Sequence, residues 1–574
     1  MSNHKHLLLL VVLLTLIASA GCTPNPAPLG PTSAPTIVLP TSAPTAAAAL
    51  PSGWWDGAVC YEIFVRSFYD SDGNGIGDFN GLIEKLDYIN DGDPQSEQDL
   101  GANCIWLMPI FAATSYHGYD VTDYYTVEPD YGTNEDFRRF VAAAHQRGIK
   151  VVLDLVLNHT SDKHPWFQSA ITDTHSPYRD WYIWSETKPA YKGPFNNEAW
   201  FPVPGGTGFY YGLFSSGMPD LNYRNPAVTA EAQKITRFWL DEMGVDGYRL
   251  DAIKHLIEHG AAQSDTAETH AWLRDFRAFL DSRTNHVFTI GEIFDGNPFS
   301  LKDYYPDQLD SYFEFDVAKQ IRGAANLSLA SGYVKAVQAA YTKLPFQRWA
   351  PFLTNHDQNR AMAEFGGDMG KAKVAATALL TLPGMPFVYY GEEIGMTGVK
   401  PDERLRTPMQ WSAAATVGFT RGTPWEAPQA NAATVNVITQ ANDPASLLNH
   451  YRRLIHLHVS HPALATGSFT PLNTSNSSVA AFLRQTENET LLVVINFDPS
   501  ASNDLTLTLD ASTLAPGTYQ LTTLLGNDQG SPLTVGENGS ISAYRPLGTL
   551  AARTGYVFRA ERGKRKAESG ERRT

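Results

Sequence analysis

At 574 residues the chain exceeds one ordinary domain, and at about 150 residues per domain it has length for about three. Hydrophobic residues make up 43% and charged residues 18%, an ordinary globular balance that leaves function to local constellations. The formal net charge of -16 argues against nucleic acid or an anionic membrane surface as the natural partner, because a polyanion would be repelled, whereas a neutral polymer would not.

The N-terminus opens on Lys5, continues as an apolar run from Leu7 to Ala20, and reaches Ser19-Ala20-Gly21-Cys22, small residues directly before a cysteine. This order reads as an export signal over residues 1–22. The run is short for a membrane-spanning helix, and Cys22 resembles the lipid-bearing cysteine of a bacterial lipoprotein cleavage site, although Ser19 stands where Leu is usual. Residues 23–55 contain no charge and are dominated by Pro, Ala, Thr and Ser, a composition that builds no core and reads as a linker. After Cys22 only Cys60 and Cys104 remain, both in apolar, strand-like runs; two buried free thiols are expected, although export would permit a bridge.

From Ala58 to about Glu393, strand-length apolar runs alternate with amphipathic, helix-like stretches. The runs are Val59 to Val65, Cys104 to Ile110, Ile149 to Leu157, Val245 to Asp251, Val287 to Glu292, Tyr312 to Phe315, Trp349 to Thr354 and Pro386 to Tyr390. Such alternation predicts parallel strands with crossover helices, and eight units predict an α/β fold with a closed (β/α)8 barrel, placed at residues 56–159 and 226–470. Residues 160–225 interrupt it with Trp166, Trp181, Trp184 and Trp200 and no helical periodicity, the mark of a subdomain inserted after the third strand. Residues 471–560 change to a period-two pattern, as in Leu505-Thr506-Leu507-Thr508-Leu509, which predicts a C-terminal antiparallel β-sandwich. The polar tail, 561–574, is expected to be disordered.

Carboxylates stand at the C-terminal ends of the barrel runs, the face where such barrels carry their sites. Asp251 ends Gly247-Tyr248-Arg249-Leu250-Asp251, Glu292 ends Ile290-Gly291-Glu292, and Asp357 follows Thr354-Asn355-His356. Splitting an acetal needs one carboxylic acid to protonate the leaving oxygen and one carboxylate to attack or stabilise the carbon it leaves. Strand period puts Arg249 and Asp251 on one face, where the guanidinium can aim the carboxylate. A crowd of like charges would keep a proton on Glu292, as a general acid requires.

These motifs, together with Asp154-Leu155-Val156-Leu157-Asn158-His159 and Gly384-Met385-Pro386-Phe387-Val388-Tyr389-Tyr390-Gly391-Glu392-Glu393, closely resemble the α-amylase family of glycoside hydrolases. The resemblance runs from Ala58 to the end of the sandwich. It implies Asp251 as nucleophile, Glu292 as acid/base, and Asp357 as the third carboxylate, gripping hydroxyls of the distorted sugar. It further implies His159, Arg249 and His356 as ligands of that sugar, Tyr119 as its aromatic platform, Asp154 as a structural carboxylate, and Lys254 and His255 as a leaving-side pair. The substrate it implies is an α-glucan polymer or oligosaccharide, cut with retention; no obligate protein partner is evident.

Asp70-Ser71-Asp72-Gly73-Asn74-Gly75-Ile76-Gly77-Asp78 sets oxygens at alternate positions, with Ile76 offering its backbone carbonyl. It resembles the first nine positions of a calcium loop, but Gly81 stands where an EF-hand has its bidentate Glu. Within the α-amylase family the same loop is a calcium or magnesium site, so a structural Ca2+ is implied at Asp70, Asp72, Asn74, Ile76 and Asp78. Met218-Pro219-Asp220-Leu221-Asn222 looks intermediate between neopullulanase-like and oligo-1,6-glucosidase-like relatives. Ala252-Ile253-Lys254-His255 and Tyr116-His117 look like α-amylases, so endo-acting α-1,4 hydrolysis by a lipid-anchored enzyme outside the membrane is expected. The alternatives are an α-glucosidase, oligo-1,6-glucosidase or transglycosylase, and a non-catalytic glucan-binding lipoprotein, which would require a broken carboxylate set.

Overall fold

The computed structural model describes residues 53–563 apart from Thr284 and Phe346. The export segment, Cys22, nearly all of the linker and the tail beyond residue 563 lie outside the described residues.

Seven parallel strands form one sheet in the order Ser311–Tyr312, Phe288–Gly291, Gly247–Leu250, Lys150–Leu155, Cys104–Leu107, Cys60–Ile63 and Phe387–Tyr389. Residues 349–352 fill the remaining gap. Ala350 bridges Phe313 and Phe352 bridges Phe387, and the Ala350 and Phe387 N–H groups donate to Tyr312 and Pro351 carbonyls at 2.9 Å each. The eight expected runs are therefore the eight staves of a closed barrel. The sixth is shorter than expected: a helix starts at Phe315, because Glu314 turns its side chain back onto the Val317 N–H as an N-cap.

Period two divides each strand between two cores. Tyr61, Ile63, Ile105, Leu107, Val151, Leu153, Tyr248 and Leu250 face the outer helices in the main cluster. Cys60, Cys104, Trp106, Val152, Phe288 and Ile290 belong to a separate cluster filling the barrel itself. Trp54 and Trp55, at the end of the expected linker, lie within this body, their rings 5.2 and 5.5 Å from Phe288. Higher along the same inward faces the residues turn polar, to Glu62, Asp154 and Arg249, each at most 2% exposed.

Cys60 and Cys104 are joined in a disulfide, which corrects the expectation of two free thiols. The parallel register sets them directly opposite each other on neighbouring strands, both facing the barrel interior, with Cα atoms 4.3 Å apart. Apolar runs alone do not reveal register.

The insertion holds the helix Pro165–Thr172, which its aromatic composition disguises, and a three-stranded sheet of Trp184–Ser185, Phe209–Tyr211 and Trp200–Pro202. It is tied back at its base by bridges from His159 to Asp220 and from Tyr182 to Leu221. The C-terminal six-stranded antiparallel sheet starts at Ser468 and ends with Thr554–Arg562, so Glu561 and Arg562 are strand and not tail. Arg484 pins this sheet to the barrel: fully buried, it donates to the carbonyls of Thr381 at 2.7 Å, Leu464 at 2.8 Å and Gly467 at 3.0 Å.

The bridge closes a loop over a sequence separation of 44 residues. Replacing both Cys60 and Cys104 by Ala is expected to cost about 2–4 kcal/mol, read as a lower denaturant midpoint with an unchanged circular dichroism spectrum.

Candidate active site

Three barrel staves end in carboxylates, and all three line one cavity of about 560 Å³ at the C-terminal mouth of the barrel: Asp251, Glu292 and Asp357. Beneath its wall lies Arg249, 1% exposed. One guanidinium nitrogen donates to Asp154 at 2.8 Å and to Asp251 at 2.6 Å, and the other lies 2.8 Å from Glu292. Asp251 and Glu292 thus share one cation and face one space.

Burial pushes the carboxyl of Asp154 up to about 7 even against the pull of Arg249. Burial also raises Glu292 above the usual range; Arg249 opposes this, and the neighbouring Asp251 and Asp357 add to it. Arg249 is held protonated: burial opposes its charge, but Asp154 and Glu292 outweigh that cost. Between the two strand ends, Ala252 adopts a left-handed conformation, φ 48°, uncommon for a residue with a Cβ. Its N–H donates to Glu292 at 3.3 Å, so the turn that follows Asp251 also holds Glu292.

Asp357 is at the rim, its side chain 43% exposed, between two cations. Arg406 donates to it at 2.8 Å and His356 Nε2 is 3.3 Å away. Burial would raise Asp357, but His356 and Arg406 outweigh it and hold it well below the usual carboxylate range. His356 is fully buried; burial lowers it, yet Asp357 and Glu62 drive it up to about 10, so its ring is an imidazolium. The Tyr119 hydroxyl is 2.6 Å from His356 Nε2 and donates to Asp154 at 3.1 Å, with the two rings 15° from parallel. His159 is neutral, pulled down to about 4 by burial, and its Nε2 donates to the Tyr119 carbonyl at 3.1 Å.

Tyr119, His159, Lys254 and His255 line the cavity with the carboxylates. The Lys254 ammonium is tethered to the Phe294 carbonyl at 3.0 Å, and His255, lowered to about 4 by burial, bonds the Gln263 carbonyl at 2.6 Å through Nδ1. Arg249 and His356 stand behind the wall and reach the cavity through the groups they hold. Sequence reasoning missed Arg406 and Asp402, which meet at 3.5 Å, and Lys400, all lining the cavity beside Asp357. Arg406 opens the run Arg406-Thr407-Pro408-Met409-Gln410-Trp411, but a loop position carries no periodic signal.

In the 70–78 loop, one oxygen each from Asp70, Asp72 and Asp78 lie within 4.8 Å of one another. Beside them the Asn74 amide donates to Asp72 at 3.2 Å and its oxygen accepts the Ile76 N–H at 2.8 Å. Asp78 doubles as N-cap of the helix Phe79–Glu84, accepting from Gly81 at 2.8 Å. Gly75, φ +95°, is obligatory, since a Cβ there would lie 2.0 Å from the Thr423 carbonyl oxygen. Asp70 accepts from the Asp72, Gly73 and Gly75 N–H groups and from the Thr420 hydroxyl, which fills its acceptor sites, whereas Asp72 and Asp78 retain lone pairs; a hard divalent cation fits this oxygen set by displacing a donor from Asp70.

Comparison with known proteins gives one consistent answer. The model of the alpha amylase catalytic domain matches residues 62–467, and that of the alpha amylase C-terminal all-beta domain matches residues 472–561. Alpha-amylase 3 of Dictyoglomus thermophilum is 42% identical over 451 residues, 78% of this chain and 85% of that relative. The oligo-1,6-glucosidase of Parageobacillus thermoglucosidasius is 33% identical over 520 residues, 77% of this chain and 90% of its own. The crystal structure of an alpha-amylase from H. orenii matches with a TM-score of 0.77 at 41% identity, covering 88% of this chain and 100% of that one.

Arg249→Leu leaves a cluster of buried carboxyls without its cation and is expected to destabilise the fold by about 3–5 kcal/mol. Urea unfolding should show that loss shrinking as the pH is lowered, because the orphaned carboxyls then take up protons.

Proposed function

The chain belongs to the α-amylase family of glycoside hydrolases, and from that premise we propose that it cuts internal α-1,4-glucosidic bonds of starch-like polymers with retention of configuration. The observation that carries the catalytic assignment is the single Arg249 guanidinium bonded to both Asp251 and Glu292. A retaining pair works at about 5 Å, and two carboxyls held by the two nitrogens of one guanidinium cannot face apart.

In this reading the Asp251 carboxylate attacks the anomeric carbon and forms a glycosyl ester. As the old bond breaks, Glu292, whose hold on a proton is strengthened by its burial, gives that proton to the leaving oxygen. Glu292, now a base, takes a proton from water as that water attacks the same carbon and releases Asp251. Asp357, ionised between His356 and Arg406, accepts hydroxyl groups of the bound ring, and Tyr119 offers its face as the platform. Lys254 and His255 lie on the leaving side.

Ala252-Ile253-Lys254-His255, and the likeness to a protein named Alpha-amylase 3, support 1,4 and endo action. A second reading, an α-glucosidase or oligo-1,6-glucosidase, is favoured by Lys400, Asp402 and Arg406, which wall the cavity beside Asp357 and would shorten the cleft there. The product profile on amylose, pullulan, maltose and isomaltose separates the two: long intermediate fragments from amylose support the first reading, and glucose alone, released also from isomaltose, supports the second. A purely glucan-binding protein is disfavoured because the carboxylate set is whole.

We also infer that Ca2+, or Mg2+ in its place, is held by Asp70, Asp72 and Asp78, with Asn74 and the Ile76 carbonyl completing the shell, and that it stabilises the fold without touching sugar. The Ser19–Cys22 motif supports a further proposal, that Cys22 carries a lipid and the linker tethers the enzyme outside the cell membrane.

Asp251→Ala is expected to remove nearly all turnover, and Glu292→Gln to lower kcat by about 10²–10⁴-fold, while glucan binding persists. Early products followed by NMR should be α-anomers; β-anomers would overturn the double displacement. Chelation by EDTA should lower the melting temperature, with recovery on adding Ca2+, and an unchanged melt would refute a bound ion in the 70–78 loop.

A further inference from the structure

Glu62 is a carboxyl side chain inside the barrel that the catalytic scheme leaves unused. It belongs to the first strand, is 2% exposed, and does not line the cavity. An unpaired carboxylate at that depth would be costly, so its partner matters. That partner is His356: Nδ1 lies 2.6 Å from Glu62 Oε1, and the His356 backbone N–H donates to the same oxygen at 3.4 Å. The opposite ring nitrogen, Nε2, meets the Tyr119 hydroxyl at 2.6 Å and Asp357 at 3.3 Å.

We propose that Glu62 is a positioning residue for the pocket: by accepting the Nδ1 proton of His356 it fixes how that ring faces and presents Nε2 to Asp357 and Tyr119. This rests on the reading of the cavity as an active site.

Three features carry it. The ring is clamped on both edges, with Trp106 against its side at 5.6 Å, so its only freedom is protonation. With Nδ1–H donated to Glu62, the second N–H of the imidazolium, on Nε2, is the one left to serve Asp357, so the Glu62 carboxylate sets both the facing of the ring and the retention of its charge. Of the charged groups around the ring, Glu62, Asp357 and Asp154 favour its cationic form, Glu292 adds to this only when it is ionised, and Arg249 and Arg406, both beside Asp357, oppose it. Removing Glu62 removes the anion on the Nδ1 side and leaves both arginines in place. The imidazolium would then be lost at lower pH, and Asp357 would lose one of its two cations.

Glu62→Gln tests this with little change of shape, since the amide oxygen can still accept from Nδ1. The folded variant is expected to bind maltooligosaccharide with a KM that rises about tenfold between pH 6 and pH 8, where the wild type stays within about twofold, while kcat changes less. A folded variant with the wild-type pH profile would overturn the proposal, because a merely structural carboxylate would shift the melting temperature and not the profile. Should the variant fail to fold, histidine-labelled wild-type protein decides: the resonance identified by its loss in His356→Gln should remain that of an imidazolium up to pH 8, and titration near 6.5 would overturn the assignment. The histidine spectrum needs no turnover, so a chain without activity on α-glucans would defeat the proposed function and still leave Glu62 tested.

Discussion

Everything at the mouth of this barrel is arranged around one buried cation. Arg249 is surrounded by protein, bonded to Asp154, Asp251 and Glu292. Three carboxyls converging without it would repel one another and shed their charges onto protons; a guanidinium alone at 1% exposure would be costlier still. Each side makes the other tolerable. The geometry of the fork then does more than neutralise, because its rigid planar nitrogens impose a separation and a direction on Asp251 and Glu292. Burial divides labour between charge states: it raises Glu292, while the rim carboxylate Asp357, met by His356 and Arg406, is held ionised.

That arrangement depends on the layering of the barrel. The inward faces are apolar through the lower half, where the disulfide, Trp106, Val152 and Phe288 fill the space. One step further along, the same faces carry Glu62, Asp154 and Arg249. Because strand period is fixed, a residue two positions on lies directly above its predecessor, and the change from packing to chemistry takes place within a single strand. The polar layer therefore rests on a rigid base, and the left-handed turn at Ala252 can be held against its intrinsic cost.

The sequence made the larger plan legible. Eight apolar runs separated by amphipathic stretches announce the barrel, and carboxylates at run ends announce the mouth, because both signals are local and periodic. Less could be read where the signal is neither. The Cys60–Cys104 bond depends on register between strands 44 residues apart, which hydrophobicity does not encode. The helix Pro165–Thr172 was hidden because its tryptophan and phenylalanine resemble the aromatic coil around it. Arg406 and Asp402 come from an irregular loop after the last strand and find Asp357 only through tertiary packing. Trp54 and Trp55 follow a charge-free, Pro-rich stretch and took on its character, although two adjacent indoles are poor linker residues and good plugs for a barrel base.

Glu62 shows why alternation alone underdetermines a site. As the third residue of Cys60-Tyr61-Glu62-Ile63, its inward direction follows from Cys60, and an inward carboxylate in a barrel demands a cation. Sequence cannot name that cation, because inward positions on every strand compete for it. The fold pairs Glu62 with His356, while the terminal nitrogens of Arg249 face three other carboxyls, and so divides the polar layer into two charge clusters, one centred on a guanidinium and one on an imidazolium. Tyr119 joins them, its hydroxyl reaching both His356 and Asp154. The Tyr119 ring is thereby held by two anchors of opposite charge, and a change in either cluster would be felt at that one ring.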